Sequence, residues 1–403
     1  MYLQRTLWPC GKPCVNMEFT KKRTDTYISI GVRVTLSIPM ARNGNAENIR
    51  EEKSMTRRER VIMALSHRQP DRVPTDFQAV PEIWEKLFVH FGTREMKKVL
   101  DLLEIDCAWV DPEVTRKPEG RDRDGYLTGW GGSKLRTVHT ATGAYDEVVH
   151  YATSGCNSIE EMEKALQLPD IDEYDFSKVT KACETYGDRF LLGGFASIFY
   201  YPTLVRSMED ILVDMMINEE LALYLFKQCF DWHMEYHKRL LEAGGGRIDA
   251  MQIADDFATQ LDLMMSVEMF RKYFREPICE YIALAKSYGA TPYLHCCGSA
   301  YRLIPEFIDM GIKILDPVQT VARNMEPSRL KQEFGENLVF HGGGETQHIL
   351  PFGTVEEVRQ NARMLSQVFG KGGGYILSSC HILQSDVPVE NILAFYELEN
   401  RQN

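Results

Sequence analysis

The fold is decided by residues 338–379, LVFHGGGETQHILPFGTVEEVRQNARMLSQVFGKGGGYILSS. A short apolar run, Leu338–His341, ends in a glycine turn. Thr354-Val-Glu-Glu357 is a capping box: the threonine hydroxyl serves the amide three residues on, and the glutamate reaches back to the threonine's own amide. The helix it opens stops at Gly370, and a second apolar run, Tyr375–Ser379, follows. Strand, helix and strand in this rhythm form the unit from which parallel sheets are built.

The rhythm extends in both directions. Further strands are expected at Val73–Phe77, Ile105–Asp111, Phe190–Phe195, Ile248–Ala254, Thr291–Cys296 and Lys313–Pro317. Between them lie a helical pattern capped by Ser266 and ending at Gly289, and one long or two consecutive helices over 207–242, stopped by Gly244-Gly-Gly246. Strands alternating with helices on this scale predict a (β/α)8 TIM barrel; an open doubly wound sheet is the competing architecture, but no G-x-G-x-x-G follows the first strand. Residues 119–152 break the rhythm with alternating residues and Gly-rich turns, which predicts an inserted antiparallel β-hairpin. Residues 1–54 hold nine Lys/Arg against five Asp/Glu, a net of +4, which leaves −16 for the rest. That segment reads as a flexible N-terminal extension or a start placed too early, with the barrel domain spanning 55–403. Cys10 and Cys14 within it lack a second ligand pair for a metal.

Composition narrows the function. The 403 residues are 44% hydrophobic and 26% charged, with a net charge of −12. This is a globular composition without the basic footprint that phosphate backbones require, so no nucleic-acid partner is expected. No run of about 18 uncharged apolar residues occurs, so no membrane span is expected. Most of the ten cysteines sit singly in apolar segments, among them Cys107, Cys183, Cys229 and Cys279, which points to reduced thiols and a cytoplasmic location.

Reacting groups in a parallel barrel sit at the carboxyl ends of the strands. Five ends here are polar: IADDFATQ, YLHCCGS, ILDPVQ, FHGGGETQ and ILSSCHI. Strand side chains alternate faces, so His295 and Cys297 point one way and Cys296 the other, into the helix layer. Cys380 leaves the end of the last strand at the same mouth. One imidazole and two thiolates make a zinc set with an open fourth position; the alternative is buried core cysteines beside a hydrogen-bonded histidine.

Those residues carry a resemblance. MTRRERVIMALSHRQPDRVP, ADDFATQ, HCCGS, FHGGGETQHILPFGTVEEV and GGGYILSSCHILQSDVPVENI resemble the uroporphyrinogen decarboxylase superfamily from about Met55 to Asn400. Within it, the H-x-C…C trio is similar to the corrinoid-dependent methyltransferases, such as methylcobamide:coenzyme M methyltransferases. The resemblance implies that His295, Cys297 and Cys380 hold zinc and that zinc binds a methyl-accepting thiol. The decarboxylase branch fits less well, because the stretch PTDFQAVPEIWEKL lacks the arginines that would grip a polycarboxylate. His381 after the third ligand and GGGE in place of a GGID-like turn also depart from the methyltransferases.

The function expected is therefore a zinc-dependent methyltransferase acting between a corrinoid and a thiol or other small methyl donor or acceptor. No D-x-H-x-x-G corrinoid-binding pattern occurs, so the corrinoid arrives on a partner protein or free. A metal-free tetrapyrrole decarboxylase using Asp255 or Asp256, and a non-catalytic barrel that binds zinc or a corrinoid protein, are the competing readings. Asp255 and Asp256 are candidates to orient the histidine, take a proton or cap the next helix. His341 and Glu345 are further catalytic candidates, and bare amides at Gly342 and Gly343 are expected to approach a ligand. Gly372-Gly-Gly374 is expected to be only a turn on the opposite face. His233 and His237, four apart among Glu, Lys and Arg, are expected on a solvated helix face.

Overall fold

The computed structural model describes residues 55–116, 120–139 and 144–396. The expected extension 1–54, with Cys10 and Cys14, lies outside them. The strands in chain order are β1 (Cys107–Trp109), β2 (Glu113–Val114), β3 (Leu127–Thr128), β4 (Lys134–His139), β5 (Ala144–His150), β6 (Tyr174–Asp175), β7 (Phe190–Ala196), β8 (Ala250–Ala254), β9 (Thr291–His295), β10 (Ile314–Asp316), β11 (Val339–Gly344) and β12 (Tyr375–Ser379). Seven of them, β1-β7-β8-β9-β10-β11-β12, form one curled parallel sheet with helices around it. Residues 73–77 join its two edges. Leu377 N donates to Pro74 O at 2.8 Å, Asp76 N to Leu377 O at 3.0 Å, and Cys107 N to Thr75 O at 3.2 Å. The segment expected as the first strand thus makes a single bridge, Thr75 with Leu377, yet closes the TIM barrel.

The alternation of side chains sorts the core into two parts. Cys107, Leu192, Ala250, Tyr293, Ile314, Val339 and Ile376 meet inside the ring. Their neighbours, such as Ala108, Leu191, Met251, Leu294, Leu315 and Leu377, pack under the helices. The helix Arg57–Leu65, opened by a Thr56–Glu59 capping box, plugs the amino-terminal end of the ring with Val61. Ion pairs hold it there: Arg58 with Asp249 and Arg60 with Asp106, each at 2.6 Å. The other end of the ring is left for the site.

The expected caps form. Thr354 and Glu357 make the reciprocal box on the helix Val355–Phe369, and Ser266 accepts from Met269 N. That first helix packs Val358, Ala362, Leu365 and Phe369 inward; each large side chain so buried contributes about 1.5–3 kcal/mol. Where one helix was expected up to Gly289 there are two, Val267–Tyr273 and Arg275–Ser287, and 207–242 divides into Met208–Ile217 and Glu219–Gly244. The insertion is an antiparallel sheet of β3, β4 and β5, a hairpin with one short added strand. Gly372, Gly373 and Gly374 all have positive φ, and Gly374 N donates to Ala64 O, so they form the expected turn at the plugged end.

The expectation for His233 and His237 is overturned. Both are buried in the helix Glu219–Gly244, with rings stacked 5.6 Å apart at 9°. The charged residues nearby take the other side of the helix. No described helix is long and apolar enough to cross a membrane.

Candidate metal centre

The same alternation builds the open mouth. Each inward row climbs from the apolar interior to a polar group: Tyr293 to His295 to Cys297, Ile314 to Asp316, Val339 to His341, and Cys107 to Trp109. The centre sits where β9 ends. His295 Nδ1 donates to Asp316 Oδ2 at 2.6 Å, so Nε2 is the nitrogen free for other work. Cys297 Sγ lies 3.4 Å from that Nε2. Asp256 Oδ1 accepts from Cys297 N at 2.7 Å and lies 3.9 Å from His295 Nε2. Donor atoms of Asp256, His295 and Cys297 all fall within 4.8 Å of one another, close enough to hold one metal ion.

A charged chain lies beneath. His341 Nδ1 donates to Asp316 Oδ1 at 2.5 Å, and its Nε2 lies 3.1 Å from Asp76 Oδ2. Trp109 Nε1 donates to the same Asp76 oxygen at 3.2 Å, and Gln252 Nε2 to Asp316 Oδ2 at 3.3 Å. Burial opposes charge on His341, but Asp316 and Asp76 outweigh it and push the imidazole up to about 10. Burial alone would raise Asp316; His341 and His295 instead hold it well below the usual carboxylate range. His295 is raised for the same reason, by Asp316 and Asp256 against burial. The carboxylate fixes the tautomer of a ligand-type histidine, and a second histidine fixes the carboxylate.

The other expected residues separate. Cys380 is buried at the end of β12, with Sγ 3.2 Å from the Thr346 hydroxyl, and burial pushes the thiol up to about 11. Cys296 faces the helix layer as expected, accepting from Phe257 N at 3.4 Å. Asp255 points away from the centre. It accepts from Ser197 Oγ at 2.6 Å and from the amides of Ile198, Phe199 and Tyr200 at 2.8–2.9 Å, fastening the loop after β7. Burial pushes its carboxyl up to about 6 against those bonds. Glu345 accepts from the amides of Gln347 at 2.5 Å and Ile349 at 2.7 Å, so it fastens the turn that leads into the helix Ile349–Phe352. Gly342 and Gly343 have φ of 94° and 96°, and a Cβ at either would meet Pro317 or Leu365 at 3.1–3.2 Å. Their bareness serves close packing of the barrel wall.

Four residues of the site were not singled out from sequence: Asp316, Asp76, Trp109 and Tyr293, whose hydroxyl lies 3.2 Å from His341 Nδ1. The available signal was the inward face of each strand, since Asp316 stands two residues after Ile314. His381 adds an imidazole near His295, and burial with the charge of His295 lowers its pKa.

With this geometry in hand, the comparisons bear on the fold. The sequence profile of uroporphyrinogen decarboxylase (URO-D) matches residues 146–401. A methyltransferase from Methanosarcina mazei superposes with a TM-score of 0.62 at 17% identity, over 86% of this chain and 98% of that one. A D-psicose 3-epimerase reaches a TM-score of only 0.30 at 13% identity, over 52% and 72% of the two chains. No curated protein sequence matches this chain.

Proposed function

The chain belongs to the uroporphyrinogen decarboxylase family, and from that premise we propose that it is a zinc-dependent methyltransferase, with His295, Cys297 and Cys380 as ligands, working with a corrinoid. The observation that carries this reading is His295 Nε2 beside Cys297 Sγ at 3.4 Å, with Asp316 holding the other ring nitrogen at 2.6 Å. Imidazole and thiolate donors in a buried, carboxylate-oriented setting fit zinc better than the harder cations. On this reading Cys380, at the end of β12, supplies a second thiolate, and Asp256 is a carboxylate already within reach. Zinc bound there would supply Lewis acidity, keeping a thiol deprotonated and nucleophilic at neutral pH.

The chain's own residues do the positioning. Asp316 fixes the His295 tautomer, His341 keeps Asp316 ionised, and Asp256 holds the Cys297 amide. The corrinoid would supply the methyl group: overall, a sulfur–carbon bond would replace the cobalt–carbon bond, whose electron pair would stay with the corrinoid. The thiol proton passes to solvent. The corrinoid is delivered by a partner protein or free, and the setting is the cytoplasm, where the eight described cysteines stay as thiols. On this reading residues 1–54 are an extension to a barrel domain of 55–403.

Decarboxylation of a porphyrinogen is the reading that the family name favours. Against it, Asp255 is occupied by its own loop, and the inward strand positions offer carboxylates where a polycarboxylate needs cations. Purified protein given a methylated corrinoid and a thiol should demethylate the corrinoid, followed by its absorbance, and yield a thioether. Release of carbon dioxide from uroporphyrinogen at an enzymatic rate, without thiol-dependent demethylation, would replace this function with the decarboxylase.

A further inference from the structure

The mouth is lined by carboxylates and aromatic rings, and this bears on what enters it. Asp76, Asp256 and Asp316 face inward around the centre; His341 pairs with Asp76 and Asp316, His295 with Asp316, and no described Lys or Arg is paired with any of the three. A fourth carboxylate, Asp111, follows on the same row as Cys107 and Trp109. Val110 between them packs into the helix-side core and donates to Leu192 O at 2.8 Å, so the alternation continues past the end of β1. Asp111 is exposed, and among the described residues it has no hydrogen bond or ion pair. It stays open to solvent, yet the protein crowding the lip pushes its carboxyl up to about 6.

The surroundings are aromatic. Trp109 lies half-buried below, 6.0 Å from the Tyr293 ring. To the side, Phe195 stands 6.3 Å from Tyr200 and 6.2 Å from Tyr201, and the charge of Asp111 reaches the Tyr201 hydroxyl. A second, independent observation lies under Trp109. Asp76 is fully buried, and while its Oδ2 serves Trp109 and His341, its Oδ1 has no partner. Unfilled acceptors beside ring faces are the chemistry that recognises an ammonium group. The basic side chain on the loop after β9, Arg302, is turned to Asp262 at 3.3 Å.

We propose that the small molecule entering this mouth carries a positive charge, an ammonium-bearing thiol, with its ammonium group held by Asp111 against Trp109 and the Phe195–Tyr201 wall. The thiol half of this statement rests on the metal–thiol reading above; the ammonium half does not.

Two measurements separate the halves. Zinc-loaded protein is titrated calorimetrically with 2-aminoethanethiol, 2-mercaptoethanol and 2-mercaptoethanesulfonate, which share a thiol and differ in charge. The cationic thiol should bind about tenfold tighter than the neutral one, the worth of one charge-assisted hydrogen bond, and the sulfonate should bind weakest. Asp111→Asn should bring the cationic and neutral thiols together while zinc content and melting temperature stay unchanged. Tightest binding by the sulfonate, or a preference that survives Asp111→Asn, overturns the proposal and leaves the metal–thiol reading intact. Metal-free protein is then titrated with ethylammonium and with ethanesulfonate, followed by tryptophan fluorescence. Ethylammonium binding that is lost in Asp111→Asn supports the ammonium site even if no thiol binds zinc; no ethylammonium binding overturns it.

Discussion

Two pairs of histidines sit in this barrel with their pKa values shifted in opposite directions. At the mouth, His295 and His341 share the two oxygens of Asp316, at 2.6 and 2.5 Å, and Asp316 raises both above the ordinary imidazole value, His341 to about 10. In the helix layer, His233 and His237 lie among Trp130, Tyr201, Tyr236 and Tyr281 with no carboxylate bonded to either. Burial there lowers His237 to about 3 and drives His233 well below its usual value. His237 earns its place as an acceptor. A register shift in β7 frees Phe195 N, which donates to His237 Nε2 at 3.1 Å. Desolvation sets a buried histidine neutral by default, and a bonded carboxylate reverses that. Only the reversed pair is arranged for chemistry.

The largest effect should come from removing the shared carboxylate. Asp316→Ala leaves the buried His341 and the half-buried His295 without their common partner and should cost about 3–5 kcal/mol in urea unfolding. The gentler Asp316→Asn should keep the fold but weaken zinc binding about 10- to 100-fold, the usual cost of losing a ligand's orienting partner. Unchanged unfolding and unchanged zinc affinity in both variants would mean that the two histidine pairs do not differ as described.

The pH dependence should separate the pairs by sign. His237 has its folded pKa lowered to about 3, so the unfolded chain binds more protons below about 6.5 and stability falls as pH drops from there toward 3. His237→Gln, which keeps an acceptor for Phe195 N, should flatten that fall by up to about 1.4 kcal/mol per pH unit. His341, raised to about 10, contributes stability that is fully present below about 6.5 and lost as pH rises through 10. Urea midpoints across pH 5–10 read both limbs. An acid limb of the same slope in wild type and His237→Gln would contradict the neutral assignment.

A smaller effect is expected at Cys296. Its sulfur belongs to the helix-side core, so Cys296→Ala should cost about 1 kcal/mol of stability and leave zinc content at the wild-type level. Zinc loss in this variant alone would invert the strand faces on which the site is built.

The barrel was legible because its signals are local. The capping box at Thr354, glycine stops and alternating runs place seven of the eight expected strands within a few residues of where they lie. Alternation also separated Cys296 from His295 and Cys297. The Asp76–His341–Asp316 chain was not legible, since it joins residues up to 265 positions apart, and no local pattern pairs them. The error at His233 and His237 had a readable remedy. They continue the buried row of Phe226, Cys229 and Phe230 at helical spacing, and the neighbouring charges Glu235, Lys238 and Arg239 occupy the other face. Asp255 and Glu345 show the limit of reading strand ends: an acidic residue there fastens a loop or a turn as readily as it meets a substrate.

The central claim, that His295 at the mouth serves a metal while the helix-layer pair does not, is tested most directly by zinc content with zinc K-edge X-ray absorption on the purified protein. The account predicts about one zinc per chain with imidazole and two thiolate ligands, most of it lost in Cys297→Ala and in Cys380→Ala and all of it retained in His233→Ala. A protein that takes up no zinc, or one that keeps full occupancy in Cys297→Ala, would contradict the account. Full occupancy in Cys380→Ala alone would replace Cys380 with Asp256 in the ligand set.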